Sequence, residues 1–324
     1  LRAQGAEVVF AGGERAERTL VPEAGYELRP LRVVPLPRKS AAGAVRAAAI
    51  DARAVGHARR LMAELRPAAV LGAGGYVAGP VGLAAVMRRV PMVLMEADSH
   101  LGLTNRLLAP WAKRVCLAFP LDGRGGSRYR VTGRPVPAPS VDREAARSRF
   151  GIEPEESCVL VFGGSQGARS INQAAVAAFS GAGFRVLHAA GVRDLPTLEA
   201  PGPGYDLRGY ISDFSEAIAA SDLVIARSGG SVFEVAAHGR PMILIPYPHA
   251  TADHQTENAR FFERAGAAVV IADGELSAAR LASETGRLLA DPTALNAMGR
   301  AAAGLARPDA AQEIAGELLA AAAQ

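Results

Sequence analysis

Residues 222–258, DLVIARSGGSVFEVAAHGRPMILIPYPHATADHQTEN, decide how the rest of the chain is read. Leu223–Ala226 is an apolar run of strand length, and Arg227-Ser-Gly-Gly-Ser231 follows it as a tight polar turn. Val232–His238 has helical character, Gly239-Arg-Pro241 stops it, and Met242–Ile245 is a second buried strand. Strand, loop, helix and strand in that order form the repeating unit of parallel α/β sheets. The polar residues sit just past the carboxyl ends of the strands, where open α/β sheets bind ligands. Arg227 offers a cationic fork suited to phosphate. Glu234, about two helical turns further on, offers a carboxylate suited to paired hydroxyls. The pattern points to a nucleotide with an anionic end and a ribose end.

The same alternation extends in both directions. Toward the N-terminus, strands are expected at Glu7–Ala11, Val70–Gly72, Met92–Glu96, Val115–Phe119 and Arg130–Thr132, with helices at Arg15–Ala24, Ala44–Leu65, Val81–Arg89 and Leu103–Leu108. Around the opening stretch, strands are expected at Cys158–Phe162, Arg185–Ala189 and Ala268–Ile271, with a helix over Ser170–Phe179 and another over Asp213–Ala220 capped by Ser212. Uninterrupted apolar strands argue for parallel sheets covered on both faces. Gly133-Arg-Pro-Val-Pro-Ala-Pro139 reads as a stiff linker. Ser277–Ala323 reads as consecutive helices broken at Pro292 and Pro308, the last packing back onto the first domain. The expected architecture is α/β, two doubly wound Rossmann-like domains with a cleft between them: residues 1–138, 139–306, and a returning C-terminal helix over 307–324. The chain opens on Leu1 at what reads as the end of a helix, so one strand–loop–helix unit is expected upstream.

Composition narrows the function classes. At 324 residues, with 49% hydrophobic and 21% charged residues, the chain is globular and long for a single core. The net charge is +4, carried almost wholly by arginine, since Lys39 and Lys113 are the two lysines. No basic run is interleaved with aromatics, which argues against a nucleic-acid partner. A basic surface still suits anionic lipid. Cys116 and Cys158 lie in separate strand runs without metal-ligand spacing and read as buried thiols. Residues 67–87 carry no charge, but their glycines and Pro80 fit a strand, turn and helix better than a membrane span.

Further polar clusters punctuate the strand ends. Gly163-Gly-Ser-Gln-Gly-Ala-Arg169 follows a strand and opens a helix, an anion-binding arrangement of backbone amides that is equally common as a plain structural turn. It lacks the Gly-Lys-Ser/Thr ending of a P-loop, and Val77 breaks the dinucleotide fingerprint begun by Gly72 and Gly74. Gly209-Tyr-Ile-Ser-Asp213 lies at a strand end, able either to pair with a base edge or to serve as an ordinary turn. His254, Gln255 and Asn258 begin a helix and suit sugar hydroxyls; His249 and His254 have no third ligand that would make a metal site. Gly74-Gly-Tyr-Val-Ala-Gly-Pro80 and Glu96–Asn105 follow two strands of the first half at one sheet edge. Glu96 reads either as a general base or as a carboxylate capping neighbouring amides.

Taken together, GGYVAGP (74–80), GLTNRLLA (102–109), GGSQGAR (163–169), YISD (210–213), ARSGG (226–230), Glu234 and HQTEN (254–258) resemble the MurG family of bacterial N-acetylglucosaminyltransferases, in order and across nearly the whole chain. The resemblance implies a B-type glycosyltransferase on the cytoplasmic face of the plasma membrane. It would move N-acetylglucosamine from UDP-N-acetylglucosamine to the lipid-linked acceptor lipid I, with no cofactor and no metal. It places Asp98, Gly163, Gly164, Ser165, Gln166, Ile211, Arg227, Ser228, Gly229, Gly230, Ser231, Glu234, His254 and Gln255 toward the donor. Gly74, Gly75, Tyr76 and Asn105 go toward the acceptor, with Glu96 as catalytic base. Four departures accompany it. The family's N-terminal Gly-rich loop is absent, and its His-Glu-Gln-Asn is Met95-Glu-Ala-Asp98. Its Gly-Asn-Pro-Val-Arg is Gly133-Arg-Pro-Val-Pro137, and the turn between Arg227 and Glu234 is one residue shorter. Another UDP-sugar:lipid transferase, or a non-catalytic nucleotide-sugar-binding subunit, stays open at this point.

Overall fold

The computed structural model describes residues 1–13, 16–33, 41–164 and 166–323, with side chains omitted over 41–51. Strands and helices follow in chain order as β1 (Val9–Gly12), α1 (Glu17–Glu23), β2 (Glu27–Pro30), α2 (Ala41–Leu65), β3 (Val70–Gly72), α3 (Ala78–Arg88), β4 (Met92–Glu96), α4 (Leu103–Leu108), β5 (Arg114–Leu117) and β6 (Tyr129–Val131). Then come α5 (Arg143–Arg149), β7 (Cys158–Phe162), α6 (Arg169–Ala178), β8 (Arg185–Ala189), β9 (Tyr205–Arg208), α7 (Phe214–Ala220), β10 (Leu223–Ala226), α8 (Val232–Ala237), β11 (Met242–Leu244), α9 (His254–Arg264), β12 (Ala268–Val270), α10 (Ala278–Leu289), α11 (Pro292–Leu305) and α12 (Ala310–Ala322). The chain divides into two compact units. One comprises Leu1–Arg134 with Asp309–Gln324, the other Pro135–Pro308.

In the second unit six parallel strands lie in the order β12-β11-β10-β7-β8-β9. Every residue of β7, β10 and β11 is buried, as uninterrupted apolar runs require when helices cover both faces. The chain runs outward from β7 to β9, then returns to place β10 on the other side of β7. That reversal is a topological switch point, where the two loops leaving the sheet diverge and open a crevice. Phe162 pairs with Ala226, so β7 and β10 end level and their loops begin side by side. The core beneath them includes Val159, Val161, Ile171, Ile225 and Ile243.

The first unit holds a parallel sheet in the order β3-β4-β5-β6, together with the separate parallel pair β1-β2. Met92 and Leu94 pack toward Leu108, while Val93 and Cys116 of the opposite face meet Ile314 and Ala321 of α12. Burial pushes the Cys116 thiol up to about 11, so it stays protonated. α12 is also latched by charge: Glu317 accepts from Arg114 at 2.7 Å and from Arg130 at 2.8 Å. Pro80 sits in the first turn of α3, where a missing N–H breaks no helical bond.

Several expectations need adjustment. β2 was not expected, and β9 was implied by the strand end at Gly209 without being given a range. β2 carries Glu27 and Arg29 and ends on Pro30, and β9 is an edge strand whose exposure rises along its length, from buried Tyr205 to exposed Arg208. Neither shows an apolar run. Ser212 does not cap α7: Asp213 holds the N-cap position, and the Ser212 hydroxyl donates to Asp213 Oδ2 at 3.4 Å instead.

Candidate active site

In the second unit the loop after β7 is built by backbone contact. The Gly167 backbone lies so close to Ala190 that a Cβ there would fall 2.2 Å from the Ala190 carbonyl oxygen. Facing it, a Cβ on Gly191 would fall 2.6 Å from Gly167 N. Both glycines have positive φ, so they answer a conformational and a steric demand at once. Gly164 and Gln166 are exposed, and Gly163 is half-buried; Ser165 lies outside the described residues. α6 then starts without a side-chain cap, leaving its first-turn amides to the loop's open side.

Arg227 corrects the reading of this region. Its guanidinium donates to the carbonyls of Ile245 (3.1 Å) and Pro246 (3.0 Å), to Asp273 Oδ1 (2.6 Å) and to Ser170 Oγ (2.8 Å). Ser170 Oγ in turn donates to Asp273 Oδ1 at 2.7 Å. The side chain is only 10% exposed, with the centre of the Tyr247 ring 5.5 Å from its Cζ. The fork expected to hold phosphate is therefore engaged internally, joining the segments that follow β7, β10, β11 and β12. Ser228 is likewise no surface ligand. It is fully buried, and its hydroxyl donates to the Gln255 carbonyl at 2.6 Å.

Around this hub the remaining donor-side residues gather. Asn258 Nδ2 donates to the Ser228 carbonyl at 3.1 Å, which draws the start of α9 onto the turn after β10. Gln255 Oε1 accepts from Tyr247 N at 3.0 Å, and its Nε2 lies 3.9 Å from where a Gly229 Cβ would sit. Gly229, Gly230 and Ser231 are half-buried and lead into α8, whose Glu234 is partly accessible. His254 Nδ1 lies 2.8 Å from the Thr251 carbonyl. The turn before it holds Ala252 and Asp253 at φ 54° and 53°, uncommon for residues with a side chain. Ile211 is buried after β9, with the exposed Tyr210 beside it.

In the first unit, Glu96 closes β4 and is 7% exposed. Its Oε1 accepts from the amides of Ala97 (3.0 Å) and Asp98 (3.3 Å). Its Oε2 accepts from Gly102 N (2.8 Å) and Asn105 Nδ2 (2.9 Å). These four donors fill the acceptor sites of a carboxylate. Glu96 is thus not placed as a general base; it clasps the loop 97–102 to the start of α4. Asn105 is corrected with it. At 1% exposure it donates also to the Met95 carbonyl (2.9 Å) and supports Gly74, whose Cβ would lie 3.5 Å from Asn105 Nδ2. It does not line an open surface. Gly75 and Tyr76 are exposed, Gly74 is half-buried, and Asp98 is half-buried within the Glu96 loop. Arg134 Nη1 reaches the Ala97 carbonyl at 3.5 Å.

Ser170, Asn172, His188 and Asp273 were not singled out by sequence. His188 is legible in hindsight as a lone imidazole within the apolar strand Arg185–Ala189; Asp273 carries no comparable signal. No group of three or more His, Cys, Asp or Glu able to hold a metal occurs among the described residues.

A doubly wound unit with glycine-bearing loops at its switch point, preceded by a second parallel α/β unit, is the architecture of the B-type glycosyltransferase fold. Comparison with known proteins agrees. The profile of the Glycosyltransferase family 28 C-terminal domain matches residues 158–314, and that of the N-terminal domain matches residues 1–117. The chain is 41% identical to the UDP-N-acetylglucosamine–N-acetylmuramyl-(pentapeptide) pyrophosphoryl-undecaprenol N-acetylglucosamine transferase of Rubrobacter xylanophilus, over 99% of this chain and 97% of that protein. The enzyme of the same name from Moorella thermoacetica is 39% identical, over 96% and 89%. Among solved structures, MurG of Acinetobacter baumannii superposes with a TM-score of 0.80 at 27% identity, covering 99% of this chain and 93% of that one. The chain belongs to glycosyltransferase family 28 and, within it, to the MurG group.

Proposed function

We propose that the protein transfers N-acetylglucosamine from UDP-N-acetylglucosamine to the 4-hydroxyl of the N-acetylmuramyl unit of lipid I, giving lipid II. The observation that carries this reading is the pair of loops that leave β7 and β10 level at the switch point, in a chain 41% identical end to end to a transferase of that name. The donor diphosphate lies over the open side of the loop after β7 and over the start of α6, where the helix dipole and the first-turn N–H groups favour negative charge; the Gly167 amide is held within the loop by the Gly164 carbonyl at 2.9 Å. Ile211 presents backbone to the uracil, Glu234 accepts from the ribose diol, and Gln255 Nε2 with His254 meets the sugar. Arg227 acts beneath the ligand, holding four loop segments in register.

The acceptor hydroxyl oxygen forms its bond to the anomeric carbon, releasing its proton to water, as the bond from that carbon to the UDP oxygen breaks. The electron pair leaves with UDP, and configuration inverts. Charge that develops on the departing diphosphate is met by preorganised amides, which need no rearrangement at that moment. Gly75 and Tyr76 serve the acceptor side.

The acceptor is a lipid, and the first unit offers a surface for it. Leu83 and Met87 on α3, Leu103 and Leu107 on α4, and Trp111 just beyond are 45% to 61% exposed. α3 and α4 cross closely at Gly82, where a Cβ would meet Leu108 Cδ1 at 2.3 Å, so these side chains form one face. Exposed Arg88, Arg89, Arg106 and Lys113 surround it. An apolar face rimmed by cations fits the anionic cytoplasmic surface of the plasma membrane. Arg114 is bonded to Glu317 and does not add to that rim. No helix among the described residues is long and apolar enough to cross a membrane.

Incubation with UDP-N-acetylglucosamine and a lipid I analogue, followed by mass spectrometry, tests the reading. A product heavier by one N-acetylhexosamine residue is expected. Transfer to diacylglycerol but not to the lipid I analogue would overturn the acceptor assignment.

A further inference from the structure

Beside Gly167, in the loop after β7, runs a buried chain of polar side chains. Tyr205 on β9, His188 on β8 and Asn172 on α6 are 6%, 0% and 0% exposed. Asn172 Nδ2 donates to the Ala190 carbonyl at 2.8 Å and to Asp194 Oδ2 at 3.2 Å, which leaves Asn172 Oδ1 as acceptor. His188 Nε2 lies 3.0 Å from that oxygen and so carries the proton. The other ring nitrogen, Nδ1, then accepts from the Tyr205 hydroxyl at 2.7 Å. Burial pushes His188 down to about 4 and Tyr205 up, so both stay neutral at pH 7. Every donor has one acceptor, and the chain runs in one direction from the sheet edge to Ala190.

Its end point is informative. The Ala190 carbonyl oxygen held by Asn172 is the atom against which Gly167 rests, 2.2 Å from the position of an absent Cβ. Ala190 N is itself fixed to the Arg208 carbonyl at 2.8 Å. The network thus fixes the floor on which the glycine loop lies. Asn172 also stands in the first turn of α6, with its own amide bonded to the Ala168 carbonyl at 2.9 Å. One residue therefore ties the floor, through its side chain, to the helix that follows.

We propose that Asn172 and His188, with Tyr205 behind them, are positioning residues for the donor diphosphate: they set the height at which the Gly167-bearing loop and the start of α6 meet it. The inference rests on the reading of that loop as the diphosphate site. Uracil and ribose are assigned to Ile211 and Glu234, which this network does not touch, so its loss should be felt by the phosphates alone.

The test measures UDP and uridine affinities of wild type, Asn172→Leu, His188→Gln and Tyr205→Phe by calorimetry or ligand competition. Misplacing one or two loop amides should weaken UDP about tenfold in Asn172→Leu, with uridine unchanged. Tyr205→Phe, which removes one hydroxyl and keeps the ring, should show a smaller change of the same kind. Should Asn172→Leu fail to fold, His188→Gln and Tyr205→Phe decide by the same UDP-to-uridine ratio. Folded variants whose ratio equals that of wild type overturn this inference alone. Wild type that binds no UDP overturns the donor-site reading and the inference with it.

Discussion

Glu96→Gln separates a catalytic carboxylate from a clasp. In the native loop two donors face each carboxylate oxygen, at 2.8 to 3.3 Å. Glutamine has one carbonyl oxygen, so whichever way its amide turns, its NH2 faces two N–H donors. The orientation that keeps the shorter pair, Gly102 N and Asn105 Nδ2, abandons Ala97 N and Asp98 N. With the side chain 7% exposed, water has little access to replace the lost acceptor. An unsatisfied buried donor costs about 1–3 kcal/mol, so the substitution should destabilise the first unit by about 2–4 kcal/mol, the longer Asp98 bond contributing least. Thermal and urea unfolding of both proteins measures the loss, and initial rates at a temperature where both are folded measure the chemistry. The account expects a clear loss of stability with kcat lowered by no more than about tenfold. Removal of a true general base costs about 10²–10⁴ in rate. A variant as stable as wild type but a thousandfold slower would refute the reasoning and restore Glu96 as the base.

Three further outcomes follow from the geometry. His188, at about 4 in the folded chain against 6.5 for an ordinary histidine, binds its proton only at lower pH when folded than when unfolded. Its contribution is therefore complete above about pH 6.5 and is lost as pH falls toward 4, about 3 kcal/mol at about 1.4 kcal/mol per pH unit; parallel stability curves for wild type and His188→Gln across that window would contradict it. Leu107→Glu with Trp111→Glu should reduce binding to anionic vesicles about tenfold or more, and wild-type binding should weaken with salt; retention unchanged by either would remove the proposed membrane face. Glu234→Ala should lose most of the affinity difference between UDP and its 2′- and 3′-deoxy forms, a difference of about tenfold or more for charge-assisted bonds. Equal penalties in both proteins would show that Glu234 does not hold the ribose.

The strands flanking the switch point were legible because buried parallel strands write themselves as apolar runs, as in Cys158–Phe162 and Leu223–Ala226; their order in the sheet was not. The bounds of β9 were not legible either, because an edge strand such as Tyr-Asp-Leu-Arg alternates too briefly to stand out from a loop. Side-chain partnerships divide in the same way. The clasp around Glu96 draws on Ala97, Asp98, Gly102 and Asn105, all close in the chain, and a capping role was one of the two readings the local sequence allowed. Arg227 offered no such warning: its carboxylate partner Asp273 is 46 positions away and meets it only once β10 and β12 share a sheet. A charged residue after a strand looks like a ligand contact until its internal partners are known. The buried Asn172–His188–Tyr205 chain was hidden for the same reason, since its members come from three elements joined only by tertiary structure.

The central claim, inverting transfer from a UDP-sugar bound at the β7–β10 switch point to a lipid-linked muramyl acceptor, is tested most directly by the configuration of the product. Carbon-13 NMR of material made from labelled UDP-N-acetylglucosamine and a lipid I analogue reads the linkage and the anomeric one-bond coupling together. The account predicts a β linkage to the 4-hydroxyl of the muramyl unit, inverted from the α configuration of the donor. An α linkage, or release of free N-acetylglucosamine without transfer, would contradict it.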